Sequence, residues 1–224
     1  MDKRIIVAID GPAGAGKSTI ARRLAAKLGF VYIDTGAMYR AVALWASRLA
    51  VPANDMHRLE QLALAADIQF TAGSSQVLLN EEDVTDAIRT AEISSAASEV
   101  SSVRGVRRAL VEKQRAMAAR TSVVMEGRDI ATVVFPSAEV KIFLDADENE
   151  RAQRRVAQSG GDPEQVEREM RDRDRRDRLR KESPLVQAPD ASYIDTTGLT
   201  ADQVEQAILK IVRERTSNGK ELTS

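Results

Sequence analysis

The residues Gly11-Pro12-Ala13-Gly14-Ala15-Gly16-Lys17-Ser18 match the spacing G-x-x-x-x-G-K-[ST], which is a chemistry of phosphate binding. Such a match arises by chance in about one chain per hundred of this length, so its flanks must decide. They favour the motif. An apolar run, Ile5 to Ile9, precedes it as a buried strand, and Thr19 to Leu28 follows as a helix closed by Gly29. In that setting the glycines between Gly11 and Thr19 let backbone N–H groups wrap a phosphate at the positive end of a helix. Lys17 then reaches the β- and γ-oxygens of a nucleoside triphosphate, and Ser18 offers a hydroxyl to Mg²⁺, which takes few protein ligands. The alternative is a glycine-rich turn that merely joins strand to helix.

A phosphate loop is shared by GTPases, motor ATPases and kinases, so the acceptor must be sought elsewhere. Asp34-Thr35-Gly36-Ala37-Met38-Tyr39-Arg40 begins at the carboxyl end of a second short strand, Val31-Tyr32-Ile33, where open α/β sheets bind ligands. If Gly36 starts a helix, Thr35 and Tyr39 stand one turn apart with Arg40 beside them, a set suited to a phosphate and a sugar. The structural alternative is a helix cap at Thr35 with Tyr39 in the core. Val123-Val124-Met125-Glu126-Gly127-Arg128-Asp129 is an apolar strand ending in an acid. Glu126 is placed to hold Mg²⁺ through a water. Arg128 and Asp129 offer a phosphate clamp and an acceptor for an exocyclic amine, against the alternative of a surface ion pair.

Residues 151–181 carry eleven Lys or Arg against seven Asp or Glu, while the whole chain of 224 residues has a formal charge of −1. A local basic cluster in a near-neutral chain argues for one anionic ligand rather than for coating nucleic acid. Arg151, Arg154 and Arg155 share a helical face at i, i+3 and i+4. Arg173, Arg176, Asp177 and Arg180 repeat the device at i, i+3, i+4 and i+7, a basic face with a single carboxylate that is excluded from any core. A solvated, salt-bridged helix pair is the alternative reading. Beside a phosphate loop, cations around spreading negative charge are a means of catalysis. The loop Gln158-Ser159-Gly160-Gly161-Asp162-Pro163 between the two helices reads as a hinge, which makes them a lid.

The elements that carry these residues alternate between strand and helix, the pattern of a parallel sheet with crossover helices. Further strands are expected at Ser122–Met125, Val140–Leu144 and Ser192–Ile194, five core strands in all. From about 67 to 102 the rhythm breaks. Ile68-Gln69-Phe70-Thr71 and Gln76-Val77-Leu78-Leu79 flank Ala72-Gly73-Ser74-Ser75, a hairpin with a four-residue loop, and a helix follows at Ala91–Val100. This reads as an inserted antiparallel subdomain. From Ser217-Asn218-Gly219-Lys220 onward the chain reads as a frayed tail. The length suits one domain with appendages. No cysteine is present, which excludes disulfides, thiol nucleophiles and thiolate zinc sites and suits a reducing, cytoplasmic setting. The start Met1-Asp2-Lys3-Arg4 and five apolar residues are too short for a signal core or a membrane span. His57, in the polar stretch Asn54-Asp55-Met56-His57-Arg58, reads as a surface residue at a helix start.

The segments IDGPAGAGKST, DTGAMYRAVAL, Ile88-Arg89-Thr90, AASEV, GRDIATVVFP, VKIFLDA, ERAQRR and RDRDRRDR resemble those of the bacterial cytidylate kinases, a branch of the nucleoside monophosphate kinase family. The resemblance runs over nearly the whole chain. It implies a three-layer α/β/α P-loop fold with a five-stranded parallel sheet, a monophosphate-binding insert near 67–102 and a short lid within 148–181. It further implies ATP and Mg²⁺, with CMP and dCMP as acceptors; the near-neutral charge, the few aromatics and the lack of a long apolar run argue against a nucleic-acid or membrane partner, and a monomer is expected. By resemblance Ser98, Arg107 and Asp129 read cytosine. Thr35, Tyr39, Arg40, Arg128, Arg173, Asp177 and Arg180 hold the monophosphate and its sugar, with Asp177 near the sugar hydroxyls. Arg151 and Arg155 match lid residues on the ATP side. With Lys17, Arg128 and Arg173 they are the cations expected to stabilise the transferred group. Three positions depart from the family pattern. Thr35 stands where serine is common, Glu126 where aspartate is usual, and Ser18 is glycine in some relatives. Rival readings are a kinase for UMP, AMP or a small metabolite, and a GTP-binding switch, although no guanine-reading N-K-x-D is present.

Overall fold

The structure is a computed structural model and describes residues 4–71 and 73–216. Ala72 of the expected hairpin loop, Met1–Lys3 and the tail from Ser217 lie outside the described residues. Among the described residues two compact units are present, one formed by those up to Phe30 and from Ser122 onward, the other by those from Val31 to Thr121. The fold is a three-layer α/β/α arrangement on a five-stranded parallel sheet of order β2 (Val31–Asp34), β6 (Val123–Gly127), β1 (Ile6–Asp10), β7 (Val140–Asp145) and β8 (Ser192–Asp195).

In the first unit, β1 (Ile6–Asp10), β6 (Val123–Gly127), β7 (Val140–Asp145) and β8 (Ser192–Asp195) run parallel, with Ile9 opposite Glu126 and Ile142. Val7, Ala8, Ile9, Val124, Met125, Ile142 and Leu144 are fully buried, as expected of strands covered on both faces. Each strand sits within two residues of its sequence-based position. Helix α1 (Lys17–Leu28) turns Ile20, Ala21, Leu24 and Ala25 inward and ends at Gly29 with φ 66°, where Phe30 N–H donates back to the Ala25 carbonyl at 2.9 Å. It packs on α8 (Ala201–Thr216). There Glu205, 0% exposed, is paired with Arg23 and Lys27. The charged helices α6 (Glu148–Ser159) and α7 (Pro163–Leu179) pack on each other.

In the second unit, α2 (Thr35–Arg48), α3 (Met56–Ala65), α4 (Ala91–Val100) and α5 (Arg104–Ala118) enclose a core that includes Met38, Leu59, Ile88 and Leu110. The expected helix at 91–100 is present with the same ends, capped by Thr90, which accepts from Ile93 N–H. His57 is exposed in the first turn of α3, as expected. The antiparallel sheet has three strands, β3 (Ile68–Phe70), β4 (Val77–Leu79) and β5 (Glu82–Asp83), rather than two. Backbone pairing ends at Phe70 and Val77, so the first loop is six residues long rather than four. A side-chain bond between Thr71 and Gln76 at 3.0 Å closes it instead. The third strand is joined by Asn80-Glu81, both at positive φ (50° and 70°), a tight two-residue hairpin turn.

Candidate active site

The phosphate loop leaves β1 at Asp10 and folds against the sheet so closely that only glycine fits. A Cβ on Gly11, at φ 148°, would lie 1.9 Å from the Leu144 carbonyl oxygen, and one on Gly14, at φ 76°, would lie 2.6 Å from that of Arg151. Gly16, at φ 84°, is the N-cap of α1 and has no side chain with which to cap it. By contrast α2, α3, α6 and α7 each begin on an aspartate that accepts first-turn N–H groups. The uncapped N–H groups and positive dipole of α1 therefore face the loop as an anion site. Ser18 is half-buried there and Thr19 is exposed.

Lys17 is 6% exposed and donates to the Pro12 carbonyl at 2.6 Å. Burial, with the neighbouring charges of Arg128 and Arg173, pushes its pKa down to about 7, against the pull of Glu126 and Asp10. This ammonium thus sits in a field that an arriving polyphosphate would relieve. Glu126, at the tip of β6, is 4% exposed.

Arg151 bears on the same loop from behind. It donates to the carbonyls of Ala146 (3.1 Å) and Ala13 (3.0 Å) and to the carboxylate of Asp174 (2.5 Å), and is 3% exposed. Arg154, expected beside it, holds the end of β8 through Thr196 Oγ1 and the Thr196 carbonyl, both at 2.8 Å. Its part is structural. Arg155 is half-buried on the same helix. On α7 the face expected to carry one carboxylate has two, Asp174 and Asp177, 7% and 5% exposed, while Arg176 is exposed. The basic face is therefore buried in part. It is tolerated because each acid is matched by arginine.

Arg128 donates to Asp177 at 2.9 Å and Arg180 does so at 2.7 Å. Burial raises the Asp177 pKa, but the charges of Arg128, Arg180 and Arg173 outweigh it and leave the carboxyl below its ordinary range. These four residues form one cluster around a single acid. Asp129, 6% exposed, follows Arg128 and precedes a π-helical turn, Ile130–Val134, that the sequence did not announce.

In the second unit the cap of α2 is Asp34, not Thr35, and the helix starts at Thr35 rather than Gly36. Asp34 accepts from Ala37 N–H at 2.9 Å and from Arg40 at 2.8 Å. Burial pulls its pKa up, yet the charge of Arg40 and the two hydrogen bonds, helped by Arg89, bring it below the usual value. Thr35 is 4% exposed. Arg107, 5% exposed, lies over the Tyr39 ring with its guanidinium carbon 5.6 Å from the centroid, and it donates to the Ser101 carbonyl at 3.3 Å. Ser98, on α4, is half-buried, and its carbonyl accepts from Ser101 Oγ at 2.9 Å.

Four residues that matter here have no role assigned from the sequence: Asp10, Asp34, Asp174 and Thr196. Asp10 carries a signal as an acid at the end of a buried strand directly before the glycines, and Asp34 carries one as a good cap residue at the start of a helix; Asp174 and Thr196 carry none.

A glycine-lined loop between a buried strand and an uncapped helix, facing a buried lysine, defines a P-loop protein that binds a nucleoside triphosphate. Two solved structures share the fold, an uncharacterized protein from Eubacterium ventriosum (TM-score 0.57, 14% identity, 95% of this chain and 99% of that one) and TT1252 from Thermus thermophilus (0.51, 19%, 96% and 100%). The family model for cytidylate kinase matches residues 7–214. The chain is 59% identical to a cytidylate kinase of Solibacter usitatus, covering 99% of this chain and 97% of that protein. It is 49% identical to one from Syntrophotalea carbinolica (96% and 94%) and 45% identical to one from Listeria innocua (97% and 100%). The chain belongs to the cytidylate kinase family.

Proposed function

We propose that this chain transfers the γ-phosphate of ATP to CMP or dCMP, giving ADP and the diphosphate. The observation that carries the reading is the set of cations gathered at the loop, where the fields of Arg128 and Arg173 act on Lys17 beside the uncapped start of α1. Phosphoryl transfer needs this arrangement, because it proceeds by positioning and by neutralising charge rather than by covalent help from the protein. The attacking oxygen belongs to an anionic phosphate, so no general base is required.

In this reading Gly11, Pro12, Ala13, Gly14, Ala15, Gly16, Lys17, Ser18 and Thr19 hold the triphosphate, with Arg155 on the donor side. Arg151 supports the loop through the Ala13 carbonyl. Arg128, Arg173 and Arg180 bind the monophosphate, with Asp177 fixing Arg128 and Arg180 and turning toward the sugar. Thr35, Tyr39 and Arg40 contribute to the phosphate and sugar, and Ser98, Arg107 and Asp129 read the base. The donors near Lys17, a hydroxyl at Ser18 and a carboxylate at Glu126, are all oxygen and few, which suits Mg²⁺. Ser18 would bind it directly and Glu126 through a water, and the ion would neutralise charge on the β- and γ-oxygens. Gly160 and Gly161, at φ 69° and 103°, form the hinge on which α6 and α7 close.

Coupled ADP-release assays across the nucleoside monophosphates test the acceptor. CMP and dCMP should exceed UMP, AMP and GMP in kcat/KM by about tenfold or more, a modest discrimination for a polar recognition site. Lys17→Ala should lower turnover by a factor on the order of 10³ or more, and wild-type turnover in that variant would sink the mechanism. Asp129→Ala should erase the preference for CMP over UMP. An unchanged preference removes Asp129 from base reading.

A further inference from the structure

Asp10 is the last residue of β1, directly before the first glycine of the phosphate loop, and it is 1% exposed. Its two carboxylate oxygens are both used. One accepts from Ile130 N–H and the other from Ala131 N–H, each at 2.8 Å, across 120 residues of sequence. Ile130 and Ala131 open the π-helical turn that follows Asp129, and Asp129 itself supplies no cap to that turn. The first N–H groups of the turn thus have their partner in a side chain from another strand. Arg128 and Asp129 are suspended between this anchor and the end of β6.

We infer that Asp10 is a positioning residue for acceptor specificity, a fixed bidentate acceptor that sets the Arg128–Asp129 pair by holding the two peptide groups after it. Three observations support this beyond simple packing. First, the anchored loop is the segment with Asp129, whose side chain is buried, and Arg128, whose side chain is already committed to Asp177. A shift of the turn therefore moves both at once. Second, the donor loop does not depend on Asp10 for its own shape. Gly11 is seated against Leu144, Gly14 against Arg151, and the Ala13 carbonyl is held by Arg151. Third, the arrangement is costly. Burial, together with the charge of Asp129, pushes the Asp10 carboxyl up to about 7, although both N–H bonds and Lys17 draw it down. An apolar residue or an asparagine would avoid that cost, so the gain must lie in the loop that the carboxylate holds.

The inference rests on the proposed roles of Arg128 and Asp129, and its test separates the two. Asp10→Asn keeps the shape but presents an N–H₂ to one of the two backbone donors. It should raise KM for CMP by about tenfold, roughly one hydrogen bond to a charged group, and narrow the CMP-over-UMP preference. KM for ATP should change by less than about threefold, because the donor loop keeps its own contacts. Thermal midpoints at pH 7.5 should show a fold no weaker than wild type. If Asp10→Asn does not fold, Asp10→Ser, which keeps one oxygen acceptor, takes its place with the same readout. Equal changes in both KM values, or no change in KM for CMP, overturn the inference. Asp129→Ala is measured alongside. If it retains the preference for CMP, the reading of Asp129 fails and the inference falls with it. If it loses the preference while Asp10→Asn binds CMP normally, only the inference about Asp10 fails.

Discussion

Lys17 and Asp34 show two opposite ways to bury a charge. Asp34 is met by a helix N-terminus and by Arg40, so its ionised form is favoured and its pKa lies low. Lys17 is met by one carbonyl at 2.6 Å and by the fields of two arginines, and its pKa falls from 10.5 to about 7. Between those two values the unfolded chain binds more protons than the folded one, so this group's contribution to stability rises as pH increases through that window. Below pH 7 its cost is present in full. Lys17→Met removes the cost along with the chemistry. The variant should be inactive, yet in the absence of nucleotide at pH 6.5 it should melt a few degrees higher than wild type, on the scale of about 2–4 °C per kcal/mol for a chain this long. The gain should shrink by pH 10. Differential scanning fluorimetry at the two pH values checks this, and a variant that melts lower at both would show that Lys17 stabilises the fold it serves.

The element that carries the most constraint is the loop between β1 and α1, because helix α6 presses on it. Gly14→Ala places a Cβ 2.6 Å from the Arg151 carbonyl and 2.9 Å from Arg151 Cβ at a residue with φ 76°. Backbone cannot yield as a flexible side chain can, and the left-handed conformation alone costs about 1–2 kcal/mol. The loop and α6 must therefore part, and kcat/KM for ATP should fall by about tenfold or more while KM for CMP moves less, as initial-rate assays with each substrate varied will show. This constraint was legible in the sequence, and so were the core strands, because buried parallel strands read as apolar runs and the end of α1 follows from Gly29. Other elements were not. β5 is two exposed acidic residues joined to β4 by Asn80-Glu81, and glutamate at positive φ gives no turn signal. The π-helical turn hides in the apolar run Ile130-Ala131-Thr132-Val133-Val134, since its partner lies 120 residues away. Asp34 and Thr35 are both good caps, and only the geometry selects the first. Asp174 looked like one more solvated acid in an alternating run until packing set it against Arg151.

Across the whole molecule the described ion pairs divide by their response to acid. Asp177 and Asp34 have depressed folded pKa values, so their stabilisation is present above the ordinary carboxylate range and is lost as pH falls through it. Asp10 acts in the reverse sense. With a folded pKa of about 7 against an unfolded value of 3.8, the folded chain binds more protons between them, and stability falls as pH rises from about 4 to about 7. The protein therefore carries its largest burden from Asp10 at the pH where both oxygens are needed as acceptors. Urea unfolding of wild type and Asp10→Asn at pH 5 and pH 7.5 reads this contribution together with the pull of the Asp10 charge on Lys17, since the remaining titrating groups are common to both. The stability of Asp10→Asn relative to wild type should increase from pH 5 to pH 7.5 by an amount on the order of 1–3 kcal/mol. A difference that stays constant with pH would mean that the Asp10 carboxyl titrates in its ordinary range, and that the anchor for the Arg128–Asp129 loop comes at no cost to the fold.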